Sequence, residues 1–340
     1  MENLLKIQQK LIPQVIEVME KRYSILRQIN LSQPIGRRGL SNLVGLSERI
    51  VRTETEFLKE QNLIEVAISG MTVTNEGLQL LDELEETMNT LMGIFTLQEK
   101  VRTRLGIKKV ILVQGNYDDN ETLIKDVAKR GAEYFLSILK DGDVVSITGG
   151  STMLEFANNI KADKKYNEVV VVPARGSMGK NIEIQSNNIV AMTSKKLQSK
   201  YKLLNIPDEL SEESMKTLSQ EPEIKSTLEF IHKTNILVFG IGKADEMAKK
   251  RRITDSKLEE IVQKGGVGEA FGHYFNEDGD VVCKLNTVGI DLETFKSVEE
   301  NIAIFAGTKK VNALIALTKI NKNLVLITDE ASAYKILEQE

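Results

Sequence analysis

The sequence is poor in the residues that build disulfides, zinc sites and membrane spans. It contains a single cysteine, Cys283, which excludes an intramolecular disulfide and favours a cytoplasmic location. Its two histidines, His232 and His273, are far apart, which argues against a Cys/His zinc site. No apolar run approaches the roughly 20 residues that span a bilayer, and the start of the chain has no apolar signal-peptide core. We therefore expect no bound metal and no membrane partner.

The net charge is small, but the charges are unevenly distributed. A formal charge of −4 on 340 residues does not indicate a chain that binds nucleic acid along its whole length. Between Lys21 and Lys59, however, there are eight basic and three acidic residues, a local charge of +5. Between Glu76 and Lys100 there are six acidic residues and one lysine, a local charge of −5. Segments of opposite charge indicate different structural units.

Residues 1–75 follow the order of a winged helix–turn–helix domain. Apolar residues at helical spacing predict a helix over 13–29, and a short helix over 37–44 ends at a turn formed by Gly45. A third helix is predicted over 47–61. The alternating segment LIEVAISGMTVT has a Ser-Gly pair at its centre and predicts a small hairpin.

The third predicted helix has one apolar side and one polar side, as a helix in the DNA major groove requires. Its apolar side contains Ile50, Val51, Phe57 and Leu58. Glu54 falls on the same side, and the sequence does not explain why. DNA contacts are predicted from six residues: Arg37, Arg38, Ser47, Glu48, Arg49 and Arg52. The alternative is a three-helix interaction domain with a solvated basic face.

Residues 76–100 are predicted to form a linker helix. Its apolar residues recur at alternating spacings of three and four, as in a heptad seam: Leu81, Leu84, Met88, Leu91 and Phe95. A seam of about two heptads is too short to be stable alone. It could pair two subunits about a two-fold axis, so a dimer or tetramer is expected. The alternative is a helix that packs on the C-terminal domain of its own chain.

Residues 101–340 alternate strand-like apolar runs with helical stretches. The clearest runs are KVILVQG, DVVSITGG, EVVVVPARG, NILVFGIG, IAIFAG and NLVLITD. Continuous apolar strands separated by helices predict an α/β domain with a doubly wound, mostly parallel sheet. Ligands of such sheets bind beyond the carboxyl ends of the strands, near a topological switch point.

Four of these strand ends contain groups that suit a phosphate. The segment ITGGST offers glycine N–H groups and two hydroxyls at a helix start, and VPARG offers a guanidinium. FAGTKK and GIGKADEMAKKRR add lysines and arginines. Each segment alone could be a helix cap or a surface ion pair, but together they predict a phosphate site. In GIGKAD, Asp245 replaces the third glycine of a dinucleotide fingerprint and would repel a pyrophosphate, which argues against a nicotinamide cofactor.

The segment VGEAFGHYFNEDGD raises the question of catalysis. If it is helical, Glu269 and His273 are neighbours at i, i+4 and could act as general acid and base on a sugar phosphate. The interpretation we prefer is that Glu269 binds a ligand hydroxyl and His273 is an ordinary turn residue. No nucleophile with a neighbouring base is visible, so we predict no catalytic residue.

Several motifs together resemble one family over essentially the whole chain. They are QPIGRRGLS, SERIVRTETEFLKEQNLI, TGGSTM, VPARG, GIGKADEMAKKRR, GEAFGHYFNEDGD and ITDE. In this order they resemble the SorC-type sugar-responsive transcription regulators. The resemblance implies a repressor of the genes of triose-phosphate glycolysis that is induced by fructose-1,6-bisphosphate. It also implies a C-terminal domain folded like sugar-phosphate isomerases and lactonases, without their activity.

The resemblance also implies which residues bind the effector. They are Gly149, Gly150, Ser151, Thr152, Arg175, Gln185, Lys250, Arg251, Glu269 and Lys310. Ser151 replaces a threonine that relatives often have and keeps the hydroxyl. Lys250 stands where relatives have arginine, so the bidentate fork is lost. The residue that holds the second phosphate therefore stays open among Lys250, Arg251 and Arg252.

The predicted function is a transcriptional repressor that binds double-stranded operator DNA and responds to a phosphorylated sugar. No cofactor is expected. Two alternatives stay open at this point. One is a sugar-phosphate isomerase, deaminase or lactonase with an accessory DNA-binding head, and the other is a nucleotide-dependent regulator.

Overall fold

The computed structural model describes residues 11–177, 181–251 and 253–339. These residues form two compact units. The first contains the described residues as far as Leu97 together with Asp119–Thr122. The second contains Gln98–Asp118 and the described residues from Leu123 onward.

The first unit has the predicted order of helices and hairpin. Its elements are helices α1 (Pro13–Ser32), α2 (Arg37–Val44) and α3 (Glu48–Glu60), strands β1 (Ile64–Ala67) and β2 (Gly70–Val73), and helix α4 (Asn75–Leu91). Gly45 ends α2 in the left-handed conformation, with φ +66°. Ser47 caps α3, because its hydroxyl accepts a hydrogen bond from the Ile50 amide at 3.4 Å. The predicted winged helix–turn–helix is confirmed.

The buried position of Glu54 in α3 now has a physical explanation. Its carboxylate accepts a hydrogen bond from Arg22 at 2.8 Å and pairs with Lys21 at 2.7 Å, both on α1. Burial raises the pKa of Glu54, but the hydrogen bonds from Lys21 and Arg22 outweigh it and hold that pKa below its ordinary value. The acid therefore joins α3 to α1. Ile50, by contrast, was expected on the apolar side and is 39% exposed.

The hairpin of the first unit pairs β1 with β2 through a two-residue turn. Ala67 is opposite Gly70, so the turn residues are Ile68 and Ser69, one position earlier than the predicted centre. Met71 also exchanges backbone hydrogen bonds with Ile35, which precedes α2. This bridge fixes the hairpin to the helix–turn–helix segment.

The predicted linker is two helices rather than one. After α4, Gly93 adopts φ +72° and helix α5 (Ile94–Leu105) begins. Three of the five seam residues, Leu81, Met88 and Leu91, are buried in the core of the first unit. Phe95 lies beyond the break and is 44% exposed. The single linker helix is therefore interrupted at Gly93, and three of its apolar residues pack in the first unit; the pairing of subunits through this segment stays a prediction.

The second unit contains eleven strands among the described residues. They are β3 (Lys109–Val113), β4 (Val144–Ile147), β5 (Val170–Pro173), β6 (Lys200–Tyr201), β7 (Ile236–Phe239), β8 (Gly242–Lys243), β9 (Gly266–Ala270), β10 (His273–Asn276), β11 (Val281–Lys284), β12 (Glu300–Ile304) and β13 (Val325–Asp329). The helices after α5 are α6 (Ile124–Ile138), α7 (Ser151–Asn159), α8 (Ser186–Leu197), α9 (Glu212–Leu218), α10 (Pro222–His232), α11 (Ala244–Arg251), α12 (Asp255–Gln263), α13 (Leu292–Ser297), α14 (Val311–Ile320) and α15 (Glu330–Glu338). Short 3₁₀ helices occupy Glu121–Leu123 and Thr308–Lys310.

Seven strands form one sheet in the order β3-β13-β12-β7-β4-β5-β6, and every pair is parallel. All residues of β4, β7 and β13 are buried. Burial of consecutive residues means that both faces of the sheet are covered. The predicted doubly wound parallel sheet is therefore confirmed, and it contains all six of the predicted strands.

A second sheet was not predicted from the sequence. It has four antiparallel strands in the order β11-β10-β9-β8. It packs with α11 and α12 around a small core that includes Ala248, Ile261 and Tyr274. Its strands are two to five residues long, and β9 contains glycines at 266 and 268. Such short strands interrupted by glycine give a weak periodic signal.

Candidate effector and DNA sites

The neighbouring strands β4 and β7 mark the topological switch point of the parallel sheet. From β4 the chain continues outward to β5 and β6, whereas β7 leads to β12 and β13 on the other side. A pocket of about 250 Å³ lies beyond the carboxyl ends of β4 and β7. The ten residues assigned to the effector all line it: Gly149, Gly150, Ser151, Thr152, Arg175, Gln185, Lys250, Arg251, Glu269 and Lys310.

One end of the pocket is the start of helix α7. Gly150 precedes this helix with φ +122° and ψ 161°, a conformation that is essentially restricted to glycine. Its amide donates to the Ile184 carbonyl at 2.8 Å, and a Cβ on Gly149 would lie 2.8 Å from the same oxygen. The first amides of an α-helix have no partner within the helix. The amides at Ser151 and Thr152 can therefore bind an anion.

Lys310 supplies a positive charge to the same pocket. It is half-buried at the end of the 3₁₀ helix Thr308–Lys310. At the start of this helix, the amide of Thr308 donates to the Asp118 carboxylate at 3.1 Å, and the Thr308 hydroxyl donates to the same carboxylate. Burial lowers the pKa of Lys310, nearby Lys250 lowers it further, and Glu246 acts in the opposite direction. Among the described residues none forms an ion pair with its ammonium group. A half-buried cation without a counter-ion suits an anionic ligand.

Four charged side chains that line the pocket form a cluster. Arg175 donates to Asp208 through Nε at 2.9 Å and Nη2 at 3.1 Å, and to Glu269 through Nη1 at 2.8 Å. Arg251 donates to Asp208 through Nη1 and to Glu269 through Nη2 at 3.1 Å. The two guanidinium groups and the two carboxylates cancel in charge. The guanidinium of Arg175, which was predicted to bind a phosphate, therefore donates two hydrogen bonds to the Asp208 carboxylate.

The segment around Glu269 is a hairpin, so the predicted helical neighbours are not formed. Phe271 and Gly272 adopt φ of +52° and +80° and make the two-residue turn between β9 and β10. Glu269 is opposite Tyr274, whereas His273 is opposite Ala270. Because side chains alternate along a strand, Glu269 and His273 lie on opposite faces. The acid–base pair required by the enzyme hypothesis is not present.

The basic cluster at the end of α11 contributes two residues to the pocket. Arg251 belongs to the charged cluster, with only 3% of its side chain exposed. Lys250 lines the pocket and is exposed. Arg252, the third candidate for the second phosphate, lies outside the described residues. Asp208 also lines the pocket and was missed, because nothing in its segment NIPDEL marks it as a ligand-site residue.

The six residues assigned to DNA are all exposed and lie on α2 and on the first half of α3. Arg37 and Arg38 begin α2, Ser47 is the N-cap of α3, and Glu48, Arg49 and Arg52 lie in the first half of α3. Arg52 donates to Glu56 at 2.9 Å on the solvent side of α3. Thr53 is also exposed, next to Arg52. It was not predicted, although the helical wheel places it on the polar side.

Comparison with known proteins identifies the family. Residues 18–88 match a family model described as the CggR N-terminal DNA binding domain, and residues 89–338 match Sugar-bind, described as a sugar-binding domain. The chain belongs to the SorC family of transcriptional regulators. It is 38% identical to the central glycolytic genes regulator of Bacillus subtilis, over 100% of both chains. It is 39% identical to that of Priestia megaterium, over 99% of both chains.

A solved structure supports the same family. It is a SorC family regulator from Enterococcus faecalis, 32% identical, with a TM-score of 0.66, and the match covers 71% of this chain and 99% of the other. This member of the SorC family is thus a transcriptional regulator with a DNA-binding and a sugar-binding domain, not an enzyme. In the part of the chain that the structure describes, no helix is long and apolar enough to cross a membrane.

Proposed function

We propose that this SorC regulator represses glycolytic genes in the cytoplasm and leaves its operator when fructose-1,6-bisphosphate binds the pocket. The proposal rests on the convergence of the predicted effector-binding residues in one pocket. Ten residues from six separate segments of the sequence meet at the switch point of one sheet. The two curated relatives above are both named central glycolytic genes regulators, which supports the glycolytic role.

The first phosphate is assigned to the start of α7. The free amides and the Ser151 and Thr152 hydroxyls act as donors, and the Lys310 ammonium supplies charge. Desolvation makes the Lys310 charge costly without a ligand, so a phosphate that neutralises it gains affinity.

The second phosphate is assigned to the end of α11. Lys250 and Lys310 both line the pocket, and they are close enough for the charge of Lys250 to lower the pKa of Lys310. Two ammonium groups that repel each other favour a ligand with several negative charges between them. A sugar bisphosphate meets this requirement better than a monophosphate.

The sugar hydroxyls are assigned to Glu269 and Gln185. Oε1 of Glu269 accepts from Arg175, Arg251 and the Gly272 amide, whereas Oε2 accepts from no described residue. The second oxygen can therefore accept a ligand hydroxyl. Gln185 immediately precedes helix α8 at the edge of the pocket.

Operator binding is assigned to the exposed side of α2 and α3. Arg49 and Arg52 would contact base edges, and Arg37 and Arg38 would contact phosphates. A homo-oligomer, dimer or tetramer, would place two such units on a two-part operator. The ligand releases DNA only if it binds one subunit arrangement more tightly than the other, and typical coupling is about 1–3 kcal/mol.

Two measurements test this proposal. In thermal unfolding, fructose-1,6-bisphosphate should raise the melting temperature more than fructose-6-phosphate, and unphosphorylated fructose should leave it unchanged. A ligand of the native state at a hundredfold excess over Kd adds about 2.7 kcal/mol of stability. Equal shifts with mono- and bisphosphate would refute the second phosphate subsite. No shift with any sugar phosphate would refute the effector site.

The second measurement is release of a labelled operator fragment selected with the effector-free protein. Thr152→Ala should bind the fragment normally and fail to release it. This variant is preferable to a change at Arg175, which would leave two buried carboxylates undercompensated. Arg49→Ala should weaken operator binding about tenfold or more. The control is Arg102→Ala, a half-exposed helical arginine outside the helix–turn–helix segment that pairs with Glu99, and this variant should bind normally.

A further inference from the structure

Asp208 occupies a fixed position in the wall of the pocket. Its amide donates to the Ser177 carbonyl at 3.0 Å, and its carbonyl accepts from the Val288 amide at 3.0 Å. A Cβ on Gly176 would lie 2.7 Å from the Pro207 carbonyl oxygen, so the two segments approach as closely as backbone allows. The Asp208 side chain is 5% exposed. Its carboxylate therefore has little freedom to move away from the arginines.

Asp208 accepts most of the hydrogen bonds that the two arginines donate within the cluster. Five such bonds are made, and Asp208 accepts three of them, whereas Glu269 accepts two. Both oxygens of Asp208 are used in this way. One oxygen of Glu269 remains for a ligand. The two acids therefore differ in role although they share the same partners.

We propose that Asp208 determines the anion selectivity of the pocket by competing with phosphate for the guanidinium groups of Arg175 and Arg251. The proposal rests on the proposed function, because the ligand it selects is the sugar phosphate of this pocket. With Asp208 in place, the cluster of two arginines and two acids has no net charge. An anion that reaches only the guanidinium groups must replace a carboxylate that already holds them.

A sugar bisphosphate overcomes this competition, because it also contacts groups outside the cluster. These are the α7 amides, Lys310 and Lys250. Inorganic phosphate has a single phosphoryl group, so it can make fewer of these contacts than the bisphosphate. Asp208 is thus a positioning residue that acts through the arginines and raises the preference for the bisphosphate over small anions.

The test uses Asp208→Asn, which removes one charge and keeps the shape of the side chain. Affinities for inorganic phosphate and for fructose-1,6-bisphosphate are measured by thermal unfolding of the full chain at constant ionic strength, with chloride as the balancing anion. The variant leaves an excess positive charge in a poorly solvated cluster, so phosphate should bind about tenfold more tightly or better. The bisphosphate should gain less, so its preference over phosphate should fall by a similar factor.

The matched control is Glu209→Gln, the same loss of charge at the next residue. Glu209 is exposed and its nearest ion-pair partner, Lys257, is 3.8 Å away. This control should keep the preference of the unmodified chain. An equal increase in phosphate affinity in both variants would indicate a long-range charge effect and overturn the assignment to Asp208. Unchanged or weaker phosphate binding in Asp208→Asn alone would also overturn it.

A second pair of variants, Arg251→Gln alone and combined with Asp208→Asn, tests the proposal even if Asp208→Asn alone does not fold. Arg251→Gln gives the cluster a net negative charge and should weaken phosphate binding about tenfold. Adding Asp208→Asn to it restores neutrality and should recover that loss, whereas no recovery would overturn the proposal. The proposed function fails separately, if the unmodified chain shows no shift with fructose-1,6-bisphosphate.

Discussion

Replacement of Lys310 by methionine should affect effector binding and stability in opposite directions. Methionine keeps the length and the apolar stem of lysine and removes the ammonium group. Two unit charges about 4 Å apart interact by about 4 kcal/mol at an effective dielectric constant of about 20. Lys310 is only half-buried, so solvent screening reduces this value. We expect a loss of about 2 kcal/mol, or about thirtyfold in Kd for fructose-1,6-bisphosphate.

The stability of the effector-free protein should rise in the same variant. Burial lowers the pKa of Lys310 from 10.5, which means that folding disfavours its charged form. In the unmodified chain this cost is fully present below the lowered pKa. It disappears as the pH rises from that value towards 10.5, because the folded protein loses the proton first. Lys310→Met should have a higher melting temperature at neutral pH and lack this increase in stability.

The assay is thermal unfolding with and without fructose-1,6-bisphosphate, at neutral pH and at a series of higher values. Lys309→Met is the matched control, because Lys309 is an exposed neighbour that does not line the pocket. It should change neither binding nor the pH profile. If Lys310→Met bound the bisphosphate as tightly as the control, the assignment of the first phosphate would be refuted. If Lys310→Met also lowered the melting temperature, the argument from desolvation would be wrong.

Three further predictions concern single positions. Glu54→Gln should destabilise the first unit by about 1–3 kcal/mol in urea unfolding, because its two cationic partners lose a carboxylate. That difference should vanish in acid, since stability due to the low pKa of Glu54 is lost as the pH falls through that pKa. Gly77→Ala should also destabilise the first unit, by about 1–3 kcal/mol, although alanine usually favours a helix, because the new Cβ would lie 2.2 Å from the Leu63 carbonyl oxygen. Gly150→Ala should cost about 1–3 kcal/mol of backbone strain and weaken effector binding in the thermal assay, since φ there is +122°.

Lys250 provides a complementary test of the second phosphate. Lys250→Met should reduce the affinity for fructose-1,6-bisphosphate about tenfold and leave the affinity for fructose-6-phosphate nearly unchanged. Lys249→Met is the control, because Lys249 is exposed and does not line the pocket. Equal losses for both sugars would place Lys250 at the first phosphate instead.

The regular elements of this protein could be predicted from its sequence because their signals are local. Helical periodicity and caps such as Ser47 defined the helix–turn–helix, and continuous apolar runs defined six of the seven parallel strands. The expected pocket residues in ITGGST, VPARG and FAGTKK follow strands of one sheet. Parallel strands bring their carboxyl ends to one edge, so the sequence was sufficient to group those residues.

Other features depend on contacts between residues far apart in the chain. The hairpin turn at Phe271–Gly272 has positive φ angles at both residues. The residue pattern of this segment does not distinguish such a turn from a helix. The heptad spacing of the apolar residues in α4 does not reveal that three of them are buried in one core with residues of α1.

The sequence by itself determined the two-part architecture, the parallel sheet and the phosphate-binding segments that follow its strands, but not Asp208. Only the tertiary structure showed how the charges in the pocket are compensated. Hydrophobic periodicity in a sequence indicates which side chains are buried, but not which charged side chains form ion pairs with each other. Asp208 and Arg175 are 33 residues apart, and their pairing exists only because the sheet brings their segments together. For the same reason Glu54 is buried in an apolar face yet satisfied by two cations from α1.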